Sequence, residues 1–82
     1  MVISDFGPQF EKRFKKIKNL ALKDKLKKQI AKIINNPELG KPMMHVRKGT
    51  REVYVAPFRL SYIYLKKEDK IIFLDLYHKD EQ

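Results

Sequence analysis

The residues best equipped for chemistry sit in the last third of the chain, REVYVAPFRLSYIYLKKEDKIIFLDLYHK, from Arg51 to Lys79. Arg59 carries a planar fork that can donate two hydrogen bonds to one phosphate and stays charged at any working pH. Lys79 supplies an ammonium that can neutralise developing charge. His78 has the side chain whose ordinary pKa, about 6.5, suits proton transfer near neutrality. Tyr77 shares the strand parity of Lys79 and offers a ring on which a base can stack. In the run from Phe58 to Leu65, Arg59, Ser61 and Ile63 alternate with Leu60, Tyr62 and Tyr64. In the last run Ile71, Phe73, Asp75, Tyr77 and Lys79 alternate with Ile72, Leu74, Leu76 and His78. Alternation of this kind describes a sheet with one covered and one free face. Arg59 and Lys79 are therefore expected together on the free face, lining a phosphate-binding surface. His78 falls on the parity of Leu74 and Leu76. Each residue also has an ordinary alternative: an exposed strand arginine, a solvated C-terminal lysine, a structural histidine.

Other chemistries lack their residues. The chain has no cysteine, which removes disulfides, thiolate nucleophiles and Cys-ligated zinc. His45 and His78 stand far apart without an acidic cluster, which is no metal signal, and the three glycines form no phosphate-cradling loop. No cofactor is expected. A net charge of +9 on 82 residues attracts nucleic acid, anionic membrane or an acidic protein. The opening MVISDF lacks a basic region followed by a long apolar one, and no apolar run approaches the ~20 residues needed to span a bilayer. A soluble, cytoplasmic protein is expected. The lysine runs KRFKK and KDKLKK read as solvated helix faces, the alternative being contact with a nucleic-acid backbone.

The elements that must position these residues follow from periodicity. One domain, residues 1–82, is all that this length supports, and its core is thin, since a chain of about 60 residues buries only roughly 60% of its unfolded surface. Val2 to Asp5 reads as a first strand, ended by Gly7-Pro8. Pro8 opens a helix in which Phe10, Phe14 and Ile17 recur at helical spacing, with its end near Asn19. A second helix carries Leu22, Leu26, Ile30, Ile33 and Ile34, and Asn35-Asn36-Pro37 stops it. Residues 37–42 are expected as loop, Met43 to Lys48 as a strand, and Arg51 to Val55, Phe58 to Leu65 and Ile71 to His78 as three more. Pro57 argues against a central ladder position at Ala56-Pro57. The order is β-α-α-β-β-β(-β), an α+β domain in which a helical hairpin covers one face of a small, mostly antiparallel sheet. The expected strand contribution to the core is Leu60, Tyr62, Tyr64, Ile72, Leu74 and Leu76.

The element order and the segments REVYVAPFRLSYIY and IIFLDLYHKDE together resemble the RelE/ParE superfamily of toxins from type II toxin–antitoxin pairs, over nearly the whole chain. The resemblance implies a small cytoplasmic toxin inhibited by a cognate antitoxin. In the RelE-like branch it implies metal-independent cleavage of messenger RNA on the ribosome, by attack of a 2′-hydroxyl; in other branches it implies poisoning of DNA gyrase. A non-catalytic RNA- or partner-binding module of the same fold is the remaining alternative. Carried across residue by residue, the resemblance places Arg59 at the arginine of the F/Y-R-x-x-Y strand motif, Lys79 at the C-terminal basic position and His78 at a histidine of some relatives. Arg47, with Lys48 and Arg51 near the first hairpin, joins Tyr77 as an expected RNA contact. Glu52 and Tyr54 stand where many relatives alternate basic residues. The chain stops at Gln82, so the C-terminal segment that often supplies an aromatic catalytic residue is expected to be missing.

Overall fold

The structure, a computed structural model, describes residues 2–42 and 49–78. The expected strand over Met43 to Lys48, and with it His45, Arg47 and Lys48, lies outside the described residues, as does Lys79.

Strand β1 (Ile3–Phe6) ends at Gly7, whose amide donates to the carbonyl of Phe73 at 2.8 Å. Pro8 then starts helix α1 (Pro8–Lys16), where its missing amide costs nothing and its fixed φ suits the first turn. The helix stops earlier than its apolar spacing suggests. Ile17 has extended backbone (φ −73°, ψ 120°), yet its side chain remains buried. Asn19, expected as the end of α1, instead opens helix α2 (Leu20–Asn35), its side chain accepting from the amide of Leu22 at 3.1 Å. A short polar side chain can serve either terminus, and here the N-cap bond decides it. Leu26 and Ile33 of α2 are fully buried, seven residues apart on one stripe.

Beyond Pro37 the chain forms a loop ending in strand β2 (Lys41–Pro42), a two-residue strand where loop was expected. Tyr62 holds this loop. Its phenol donates to the carbonyl of Pro37 at 2.8 Å and accepts from the amide of Gly40 at 2.8 Å. Burial pushes the Tyr62 pKa above its usual value of 10.0, against the opposing pull of the Gly40 amide and the charge of Arg51. Gly40 has no room for a side chain, since a Cβ there would sit 2.9 Å from the Tyr62 ring and hydroxyl.

Strands β3 (Thr50–Val55), β4 (Phe58–Leu65) and β5 (Lys70–His78) form the body of the sheet. Ala56-Pro57, with a cis peptide bond, makes a two-residue turn that sets Val55 opposite Phe58. A turn of 3-10 helix over Lys66–Glu68 joins β4 to β5, closed by Asp69 in the left-handed region (φ 49°), which aspartate tolerates better than most residues. The sheet runs β1-β5-β4-β3-β2, with β1 parallel to β5 and all other neighbours antiparallel. This is the expected α+β arrangement: two helices over a mostly antiparallel sheet.

The helix-facing side of the sheet differs from the expected parity in β5. Tyr62 pairs with Phe73, but Ser61 pairs with Asp75, so Leu74 is an extra residue that restarts the alternation. Ile71 and Phe73 lie in the core before it and Leu76 after it, all fully buried, while Ile72 and Leu74 are half-buried. Phe73 stacks on Phe6 at 5.1 Å between ring centroids and meets Phe10 at 5.9 Å, joining β1, α1 and β5. Ile72 and Leu74, expected in the core, yield it to Ile71 and Phe73. A single strict alternation cannot describe a bulged strand.

Candidate functional site

The turn at Ala56-Pro57 fixes the register of β3 against β4, and that register assembles the site. Tyr54 pairs with Arg59, and Arg59 pairs with Tyr77 across β5. An arginine is thus set between two tyrosines in one cross-strand row, on the face away from the helices. In the next row Lys41 pairs with Glu52, and Glu52 with Ser61. Directly opposed side chains in such rows are close enough to interact, and diagonal neighbours are within reach of long ones.

Glu52 is the hub. Its Oε1 accepts from Arg59 Nη1 at 2.9 Å, and its Oε2 accepts from the Tyr77 hydroxyl. The Glu52 side chain is 11% exposed and that of Arg59 38%, so the carboxylate is enclosed and the guanidinium reaches solvent. A charge-assisted bond of this kind fixes the direction of the arginine fork. A cleft of about 770 Å³ opens beside the pair, along β3 and the loop before it, and its walls include Leu39, Lys41, Glu52, Tyr54 and Arg59. Tyr54 is 55% exposed. The assembly therefore presents two cations, one carboxylate and two phenols to a solvent-open surface. Such a set can hold a phosphate, stack a base and move a proton. Among the described residues no group of three His, Asp or Glu is placed to hold a metal ion.

The other expected site residues are distributed differently. His78 pairs with Phe58 and meets its ring edge-on at 5.7 Å, on the helix-facing side with Leu60 and Leu76. It is on the opposite face from Arg59, as its parity indicated. Arg51, expected at the RNA surface, pairs with Tyr62 on that same helix-facing side. Its Nη1 donates to the carbonyl of Gly40 at 2.8 Å and of Glu38 at 3.1 Å, so it braces the loop. Arg59 and Tyr77 are brought together as expected. Lys79, Arg47 and Lys48 lie outside the described residues. Lys41 was not singled out by the sequence, and Glu52 and Tyr54 were noted only as departures from the relatives' basic alternation, without their place in this row. The available signal was the Ala56-Pro57 turn: pairing residue 55 with 58 forces 54 onto 59 and 52 onto 61.

The fold is shared with known toxins. The chain superposes on a chain of the intact RelBE toxin–antitoxin complex of E. coli with a TM-score of 0.81 at 14% identity, covering 95% of this chain and 96% of that one. It superposes on one from the RelBE2 toxin–antitoxin complex of Mycobacterium tuberculosis with a TM-score of 0.80 at 18% identity, covering 95% and 98%. YafQ from E. coli gives a TM-score of 0.73 at 26% identity, covering 99% and 97%. No curated protein matches the chain in sequence. No helix among the described residues is long and apolar enough to cross a membrane. Residues 5–82 match the sequence model of the ParE toxins of parDE type II toxin–antitoxin systems. With nearly its whole length matched, and with the helical hairpin and five-stranded sheet of the RelE structures, the chain belongs to the RelE/ParE superfamily of type II toxins.

Proposed function

We propose that this toxin acts on RNA, cutting messenger RNA on the ribosome, and that a cognate antitoxin holds it inactive. The observation that carries the reading is the row Tyr54–Arg59–Tyr77 with Glu52 bonded to both Arg59 and Tyr77. Cleavage by a ribose 2′-hydroxyl needs a proton acceptor, a cation for the pentavalent phosphate and a donor for the leaving oxygen. Glu52 is placed to accept a proton or to hold Tyr77 as its relay. On this reading Arg59 and Lys41, which line the same cleft, meet the phosphate, and the exposed ring of Tyr54 stacks on a base. Lys79 is proposed to supply a further cation for the phosphate. The antitoxin is supported by the likeness to chains solved in toxin–antitoxin complexes. Charge supports it too, since an acidic segment suits a surface of net charge +9.

The test is incubation of the purified toxin with programmed ribosomes and mapping of the RNA ends. New ends in the ribosomal A site are expected, and Arg59→Ala should reduce their rate by roughly 10²–10³-fold, the usual loss on removing one transition-state donor. Unchanged cleavage in that variant excludes this site.

A second reading has its own observation. The Glu52 carboxylate neutralises the guanidinium that would hold a phosphate, and the family match is to ParE toxins. Both favour the gyrase-poisoning action implied by the resemblance for other branches. It predicts inhibited DNA supercoiling and intact RNA in the same preparation.

A further inference from the structure

A second cleft lies on the helix-facing side of the sheet, the face opposite Arg59, where the link between α1 and α2 passes the start of β4 and the last part of β5. Its volume is about 640 Å³. Lys12, Arg13, Lys16 and Lys18 surround it, and Phe58 and Leu76 are part of its apolar floor. No acidic side chain among the described residues lines it. Beside the cleft, Asp75 meets Arg13 at 3.3 Å. The three lysines are exposed, whereas Leu76 is fully buried and Phe58 half-buried. The C-terminal end of α1 and the N-terminal end of α2 both reach the cleft, and their opposed partial charges of about half a unit offset each other. The field in the cleft is therefore set chiefly by Lys12, Lys16 and Lys18, since Asp75 offsets the charge of Arg13. Phe58 also presents the ring that meets His78 edge-on, so an aromatic pair borders the charged rim.

From this geometry we infer that the cleft is a second nucleic-acid site, which binds the phosphates of a single strand on Lys12, Lys16 and Lys18 and seats a base over Phe58. Single-stranded nucleic acid is recognised by this combination of a cationic track and an aromatic platform. An acidic peptide would satisfy the cations and leave the ring without a planar partner. The site is independent of the proposed cleavage centre: it lies on the other face and uses none of its residues. It gives the toxin a second hold on the strand it acts upon, or on structural RNA beside it.

The test is fluorescence anisotropy of a labelled twelve-residue oligouridine with the intact protein over a series of KCl concentrations. Each phosphate contact on a single strand contributes about 0.7 to the slope of log K against log salt. The triple variant Lys12→Gln/Lys16→Gln/Lys18→Gln should lower that slope by about 2 and weaken binding roughly a hundredfold near 0.1 M salt. All three side chains are exposed, so the variant keeps its core. A control, Lys25→Gln/Lys32→Gln/Lys67→Gln, removes the same charge from exposed positions elsewhere and should change the slope far less. Phe58→Leu should weaken binding without altering the slope. Equal losses in the two triple variants would overturn the site, since charge in general would then suffice. Competition by oligoglutamate as effective as by oligouridine would also overturn it in favour of an acidic-protein dock. Arg59→Ala separates the two readings: loss of cleavage with the cleft's contribution to the slope intact leaves this inference standing, and cleavage absent from the parent protein leaves it equally untouched.

Discussion

Glu52 decides what Arg59 can do. An arginine alone on an open strand is a ready phosphate ligand, and the same arginine held at 2.9 Å by a carboxylate must exchange that partner or share it. The balance is legible from one substitution. Glu52→Gln removes the negative charge while keeping a similar shape, so it should tighten oligonucleotide binding and steepen the salt dependence by about 0.7, one more phosphate contact. Anisotropy titration reads both quantities, and weaker binding with a shallower slope would mean that Glu52 organises the site rather than opposing the ligand. If Glu52 is also the proton acceptor, cleavage falls while binding rises. Alternation set Arg59 and Tyr77 on one face, and the strand motif of the resemblance singled out the arginine. It did not show that Arg51, four residues before Val55 and equally basic, would turn to the loop carbonyls of Glu38 and Gly40. Parity assigns a face to a residue only when the neighbouring strand's pairing is known.

At the scale of elements, two locks carry stability. The first is Phe73, which ties β5 to β1 and α1 through stacked rings. Phe73→Ala should cost about 3–5 kcal/mol, and Leu74→Ala, one residue away and half-buried, about 1 kcal/mol. Urea denaturation of both variants distinguishes this order from the reverse that strict alternation implies. The second lock is Tyr62 against the loop over residues 37–42. Tyr62→Phe leaves the buried amide of Gly40 unbonded, at a cost of about 1–3 kcal/mol. Burial raises the folded-state pKa of Tyr62 above the usual 10.0. The stability from its neutral phenol is therefore fully present below about pH 10 and is lost as pH climbs through the raised value. Melting temperatures of parent and Tyr62→Phe should accordingly converge in strongly alkaline buffer; a gap that widens there would refute the assignment. The helices, β4 and the order of elements along the chain were legible because each rests on a local period or a proline, whereas the parallel pairing of β1 with β5 at one edge was not. The end of α1 and the role of Asn19 were not, because one residue can cap either of two adjoining helices. The bulge was not legible because it is a property of two strands at once.

For the whole molecule, the dominant fact is charge. With +9 on 82 residues the folded state gathers like charges that the unfolded chain holds apart, and this self-repulsion lowers stability. Salt weakens it: the screening length falls from about 30 Å at 0.01 M to about 3 Å at 1 M. The melting temperature should therefore rise with KCl across that range, and a fall would show that attractive pairs such as Arg13–Asp75 outweigh the repulsion. An acidic antitoxin would act in the same direction, and additionally by mass action on the folded state.

The extra residue in β5 reaches beyond packing. Were the pleat uniform through Leu74 and the pairing of Tyr62 with Phe73 kept, Leu74 would face Ser61 and every later position would shift by one: Asp75 would face Leu60 from inside the core, and Leu76 would take the place beside Arg59. Tyr77 would leave Glu52 for the helix side. One inserted leucine thus synchronises two requirements, an oily interior and a polar exterior, that a uniformly pleated ribbon of this composition would set against each other.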